Sequence, residues 1–123
     1  MGIYHEQSRP DRDSYVKIHD QCIKSGLEHN LKKQTTSKTY GIDYNPKSIM
    51  HYHSKAFSKH SGCKTITSKV NVVLILWDFL STNYLISIKI PGVSDDDLGA
   101  ATEMSDLDYE KVVKHYNCPS NCK

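Results

Sequence analysis

Residues 2–13 read GIYHEQSRPDRD, and the interpretation of the whole chain turns on them. Pro10 lacks a backbone N–H and disfavours helical angles in the residue before it, so no helix runs through Ser8 and Arg9. The segment is expected to be irregular, and Arg9, Asp11, Arg12 and Asp13 must find local partners or water. Mixed charge of this kind is usually a solvated face, and a solitary histidine such as His5 usually binds nothing. A second short stretch, Ser48–Tyr52, reads SIMHY and brings another histidine, a methionine and a tyrosine.

Taken in register, the two stretches resemble the astacin family of zinc metalloproteases, whose signature HExxHxxGxxHExxRxDRD is answered downstream by SxMHY. Gly2, His5, Glu6, Arg9, Asp11, Arg12 and Asp13 occupy every fixed position of that signature from its glycine onward. The HExxH that precedes the glycine in the family does not stand before Gly2, so the chain is expected to be a C-terminal part of a catalytic domain, with Met1 an internal methionine. The resemblance covers Gly2 to Ile66 and returns from Leu98 to Cys118.

What the resemblance implies is specific. A catalytic zinc takes about three protein ligands and an open position for water. The family draws two histidines and the general-base glutamate from HExxH; His5 would be the third histidine. Tyr52 would be a further ligand of the resting metal, whose phenol then donates to the oxyanion of the tetrahedral intermediate. Met50 would form the Met-turn, an apolar floor beneath the ligands, and Gly2 would end the zinc-binding helix by entering positive φ. Glu6 would be the carboxylate that anchors the freed N-terminal ammonium of the mature enzyme. With no such terminus in this chain it is expected to be solvated. Arg9, Asp11, Arg12 and Asp13 would be a salt-linked corner under the cleft. Cys118 matches a cysteine that pairs with one near the start of the family's catalytic domain.

The implied fold is α+β and zincin-like, a largely irregular metzincin C-terminal subdomain with short helices, few strands and one terminal helix. The implied organisation is residues 1–66 as catalytic-domain sequence, 67–97 as an atypical apolar insertion and 98–123 as terminal helix and tail. The implied function is zinc endopeptidase chemistry on protein or peptide substrates, with the missing N-terminal half of the domain as a necessary partner. This chain alone is expected to be inactive and to hold no catalytic zinc. The alternatives are a non-catalytic secreted binding module and a gene-model artefact.

Composition narrows the field further. At 123 residues with 37% hydrophobic content, the chain allows one small domain of marginal core. Its net charge of +2 comes from dispersed lysines, without the basic face that nucleic acid requires. Four cysteines suit an oxidising, extracellular setting and can pair in three ways; Cys22–Cys63 with Cys118–Cys122 is one self-contained choice. Residues 1–13 are too polar for a signal peptide, so secretion is expected of the parent protein.

Along the chain, Val16 and Ile18 alternate with Tyr15, Lys17 and His19, which predicts a short strand. Leu27 and Leu31 predict a brief helix over residues 25–33, and residues 34–47 read as a long loop. Residues 70–90 are apolar but interrupted by Asn71, Asp78, Asn83 and Lys89, short of the roughly 20 residues of a membrane span. They read as a hairpin turning near Ser81–Asn83, and their loss of resemblance suggests untranslated intervening sequence carried into the chain. Ser105–Tyr116 reads as a helix with the capping pair Ser105 and Asp108, and with Tyr109, Val112, Val113 and Tyr116 as its core stripe. His51, His53 and His60 with Cys63 offer a rival metal set, which ranks below unliganded loop histidines because no HxxxH or CxxC spacing joins them. No GxSxG setting supports a serine nucleophile.

Overall fold

The computed structural model describes residues 2–69, 73–74, 87–88 and 93–119. The chain is a mixed α/β, mostly irregular unit. Its elements among these residues are strands β1 (Val16–Ile18), β2 (Ile66–Ser68), β3 (Val73–Leu74) and β4 (Ser87–Ile88), helix α1 (Asp106–Tyr116), and four single-turn 3-10 helices. β1 pairs antiparallel with β2, Val16 opposite Ser68 and Ile18 opposite Ile66. β3 pairs antiparallel with β4, as a hairpin requires, while the turn near Ser81–Asn83 lies outside the described residues. Among the described residues no helix is long and apolar enough to cross a membrane.

The core forms where β1 and β2 turn their inward positions toward the loops. Val16 and Ile66 bury against Ile23, Leu31, Tyr44 and Leu98. Among the described residues these six make a small cluster, and a covalent tie supplements it. Cys22 and Cys63 form a disulfide across 41 residues of sequence, a loop whose closure is worth about 4 kcal/mol in the chain-entropy model. The isolated bridge Ile23–Ser58 flanks it. Among the described residues the half-buried Cys118 has no disulfide partner, and Cys122 lies outside them.

Several local expectations are corrected. The helix expected over residues 25–33 is a 3-10 turn, Glu28–Leu31, because Gly26 sits at φ 86° and breaks the helix before it starts. Residues 2–4 carry no helix tail, Met1 being outside the described residues. The expected positive φ of Gly2 depends on the position of Met1, which lies outside the described residues. Gly2 also lies against the His115 ring, 2.8 Å from where a Cβ would stand.

The expected core stripe of α1 is also wrong. Tyr109 and Tyr116 are 39% and 50% exposed, and the buried residues of the helix are Asp108 and Lys111, one turn apart. Charge overrides amphipathicity here because each buried group meets a partner. The predicted capping box is formed: the Asp108 N–H donates to Ser105 Oγ at 3.2 Å, and Asp108 Oδ2 accepts from the Ser105 N–H at 3.0 Å. The other carboxylate oxygen of Asp108 accepts the Ser48 hydroxyl, and Ser48 Oγ in turn accepts the Met50 N–H at 3.0 Å. One carboxylate therefore caps α1 and fixes the SIMHY turn to it.

Burial raises the Asp108 pKa, but the hydrogen bonds from Ser48 and Ser105 outweigh it and hold the carboxyl below its ordinary value of 3.8. A depressed folded pKa stabilises the protein above the unfolded value and loses that contribution as pH falls through the folded one. Urea unfolding is therefore expected to give constant stability above about pH 5 and a decline in stronger acid. Asp108→Asn is expected to cost about 1–3 kcal/mol at neutral pH and to flatten the acid slope.

Candidate active site

The segment after Gly2 is organised by a buried carboxylate. Glu6 is 0% exposed, which overturns the expectation that it is solvated. It can be buried because its charge is met from three sides: Arg9 Nη1 at 3.0 Å, the Lys111 ammonium from α1, and the Asn45 N–H at 2.9 Å. Arg9 also grips Asp11 with two bonds, 2.9 and 2.7 Å, and donates to the Ile42 carbonyl at 2.9 Å. Arg12 donates to the carbonyls of Gln7 and Leu31, and Asp13 takes Arg12 at 3.2 Å and Lys33 at 2.5 Å. The RPDRD charges are thus a paired corner, with Arg9 and Arg12 buried, rather than a solvated run.

This corner holds His5 against the second motif. Glu6 donates its N–H to the Met50 carbonyl at 3.0 Å, and Tyr52 donates its N–H to Gln7 Oε1 at 3.0 Å. Laced in this way, the two segments bring the His5 and Tyr52 rings to a centroid distance of 4.3 Å, tilted by 44°. Phe57 meets the Tyr52 ring edge-on at 5.2 Å. Both His5 and Tyr52 are half-buried. Burial lowers the His5 pKa, favouring the neutral imidazole whose lone pair a metal needs.

Behind Tyr52 lies a second polar arrangement. His51 is buried, with Nδ1 2.6 Å from the Tyr52 carbonyl and Nε2 2.7 Å from the Tyr44 hydroxyl. A carbonyl can only accept, so the ring proton sits on Nδ1 and Nε2 accepts from Tyr44. Burial lowers the His51 pKa and keeps this neutral tautomer. Gly99, at φ 63°, closes over the same turn, and a Cβ there would run into the His51 carbonyl and the backbone of Tyr52 and His53.

Met50 is half-buried and, with Ile3, Ile49, Met104 and Val112, lines an open apolar cavity of about 180 Å³ above Asp108 and Lys111. Cys118 follows the Asn117 cap of α1, well separated in sequence from both motifs, with its N–H donated to the Val113 carbonyl at 3.0 Å. The rival histidine set does not assemble: Cys63 is consumed by its disulfide, and no group of three His, Cys, Asp or Glu placed to hold a metal exists among the described residues. His5 and Tyr52 supply one imidazole and one phenol. The described residues by themselves therefore fall short of the ligand set of a catalytic zinc.

Sequence reasoning missed Gln7, Lys111 and Gly99, and gave His51 only a place in the rival metal set. Lys111 left the one available signal, a lysine three residues after the capping aspartate and so on the same helix face as it.

Two substitutions test this frame. Lys111→Met takes the ammonium away from Glu6 and is expected to cost about 3 kcal/mol in denaturant unfolding. Gly99→Ala is expected to cost about 1–3 kcal/mol through backbone strain, and to shift the Tyr52 ring resonances in NMR spectra.

Comparison with known proteins bears on this geometry. Residues 1–76 match the family model described as Astacin, a peptidase family. Over 121 residues the chain is 36% identical to the zinc metalloproteinase nas-7 of Caenorhabditis elegans, covering 97% of this chain and 25% of that protein. Over 70 residues it is 44% identical to Protein SpAN of Strongylocentrotus purpuratus, covering 55% of this chain and 11% of that protein. Among solved structures it resembles high choriolytic enzyme 1, a hatching enzyme zinc-protease from Oryzias latipes. The TM-score is 0.70 at 31% identity, with 95% of this chain and 47% of that chain covered. The chain thus spans a quarter or less of these two relatives and about half of the solved enzyme. On the family match and the shared fold, the chain belongs to the astacin family of zinc metalloproteases.

Proposed function

We propose that the chain forms the C-terminal part of the catalytic domain of a secreted astacin-type zinc endopeptidase, which hydrolyses peptide bonds in protein substrates. In this reading His5 is a zinc ligand, and Tyr52 is a further ligand that serves as oxyanion donor during the reaction. Bound zinc would supply a water of lowered pKa. The observation that carries the reading is the 4.3 Å approach of the His5 and Tyr52 rings, drawn from two separate segments. Residues 1–66 and 98–123 act as catalytic-domain sequence, since Leu98 packs into the core built by the first segment; residues 67–97 are an insertion between them.

The neighbours of these residues account for their fitness. The His5 imidazole is kept neutral by burial, and Glu6, already neutralised by Arg9 and Lys111, does not compete for a cation. A phenol beside the imidazole can donate a hydrogen bond where negative charge develops, the kind of contact whose removal costs about 10²–10³ in rate. With two donors among the described residues, the chain by itself holds no catalytic zinc and is inactive until the remaining ligands are supplied. The second reading is a non-catalytic module that captures a partner's apolar side chain in the cavity between Met104 and Ile49, both largely exposed.

Complementation separates the two. The chain is refolded with the N-terminal half of the hatching-enzyme catalytic domain, and cleavage of a fluorogenic peptide is followed. Chelator-sensitive cleavage is expected, abolished by His5→Ala and reduced about 10²-fold in kcat by Tyr52→Phe with KM nearly unchanged. Nanomolar zinc binding by the chain alone, or cleavage indifferent to His5→Ala, would sink the proposal.

A further inference from the structure

The main chain of Tyr52 is held on both sides of its Cα by side chains, an unusual concentration of restraint on one residue. Its N–H donates to Gln7 Oε1 at 3.0 Å, and its carbonyl accepts from His51 Nδ1 at 2.6 Å. We infer that Gln7 and His51 are positioning residues that clamp the Tyr52 backbone, so that its phenol changes place only by turning about its own side-chain bonds. The inference deepens the proposed function and rests on it for the role of Tyr52.

Gln7 shows the specificity of the arrangement. It is 0% exposed, and its Nε2 is buried without a hydrogen-bond partner among the described residues. Turning the amide over would not relieve this, because the Tyr52 N–H would then face a second donor. An apolar side chain of the same length would avoid the orphaned donor, so glutamine at this position carries a stability cost in exchange for the one acceptor aimed at Tyr52. Gln7 lies two residues from His5, and the same bond therefore indexes the phenol-bearing residue to the imidazole-bearing segment.

His51 is fixed in its turn. Its Nε2 accepts the Tyr44 hydroxyl at 2.7 Å, and the Tyr44 ring stacks on Tyr15 at 4.5 Å with 7° between the planes. Gly99 leaves no space behind the peptide that follows Tyr52, so the backbone has no room to retreat. Restraint at the N–H, at the C=O and from behind leaves the side-chain torsions as the remaining freedom.

The test uses the 123-residue chain and reads hydrogen exchange and ring-to-ring NOEs by NMR. Gln7→Met removes the acceptor and the orphaned donor together, so global stability is expected to hold. Exchange at the Tyr52 N–H is expected to rise about tenfold more than at the neighbouring Glu6 N–H, and the His5–Tyr52 NOE to weaken. His51→Asn keeps an N–H near the position of Nδ1 and is expected to preserve that NOE, whereas His51→Phe is expected to lose it. Uniform acceleration of all amides in Gln7→Met, or identical behaviour of the two His51 variants, would overturn the clamp. Should Gln7→Met fail to fold, the His51 pair decides. Neither readout involves zinc or cleavage, so the clamp can stand where complementation fails, and fall where it succeeds.

Discussion

The structure depends on neutralising one carboxylate. Glu6 is removed from water entirely, and a lone ionised carboxylate in that position would be prohibitively costly. Its three partners come from different parts of the chain: Arg9 from its own segment, the Asn45 N–H from the loop before SIMHY, and Lys111 from α1. Satisfying one charge therefore brings three stretches to a common point, and His5 is the residue next to that point. Buried ion pairs of this sort add little net stability over an apolar substitute. Their contribution here is register: an ammonium and a guanidinium on one carboxylate define positions that six core hydrophobes cannot. The Asp108 carboxylate repeats the device one helical turn earlier, tying Ser48 to the start of α1. Helix α1 thus touches both motifs through polar groups on a single face.

The legible parts of the sequence are those governed by local chemistry. The Ser105–Asp108 capping pair locates α1 because both partners lie within one turn, and Val16 and Ile18 locate β1 because alternation is a local pattern. The two motifs mark His5 and Tyr52. What fails depends on distant partners. Glu6 reads as solvated because Lys111, its ammonium, lies 105 residues away. The inward face of α1 reads as Tyr109 and Tyr116 because an apolar stripe is the default inside, and a buried Asp–Lys pair can be inferred only from the groups that meet it. β2 escapes notice because three residues, Ile66–Ser68, are too few to show a period without β1 beside them. The contact of Gly2 with the His115 ring is equally hidden, because His115 arrives from the far end of the chain.

Tyr44 joins the two halves of this description. Its ring belongs to the apolar core, packed with Val16, Ile23, Leu31, Ile66 and Leu98 and stacked on Tyr15, with the Arg9 guanidinium 5.5 Å from its centroid. Its hydroxyl leaves the core to meet His51. Burial first, and the nearby Glu6 charge second, push the Tyr44 pKa far above its ordinary value, so the phenol keeps its proton. The Tyr52 carbonyl can only accept, so His51 carries its hydrogen at Nδ1, and the protonated Tyr44 hydroxyl donates to the lone pair left at Nε2. The Tyr44 hydroxyl thus supports the tautomer whose N–H meets the Tyr52 carbonyl. The small hydrophobic cluster and the candidate site are joined through one tyrosine, whose ring packs with Val16 of β1 and Ile66 of β2 and whose hydroxyl meets the histidine behind the phenol that faces His5.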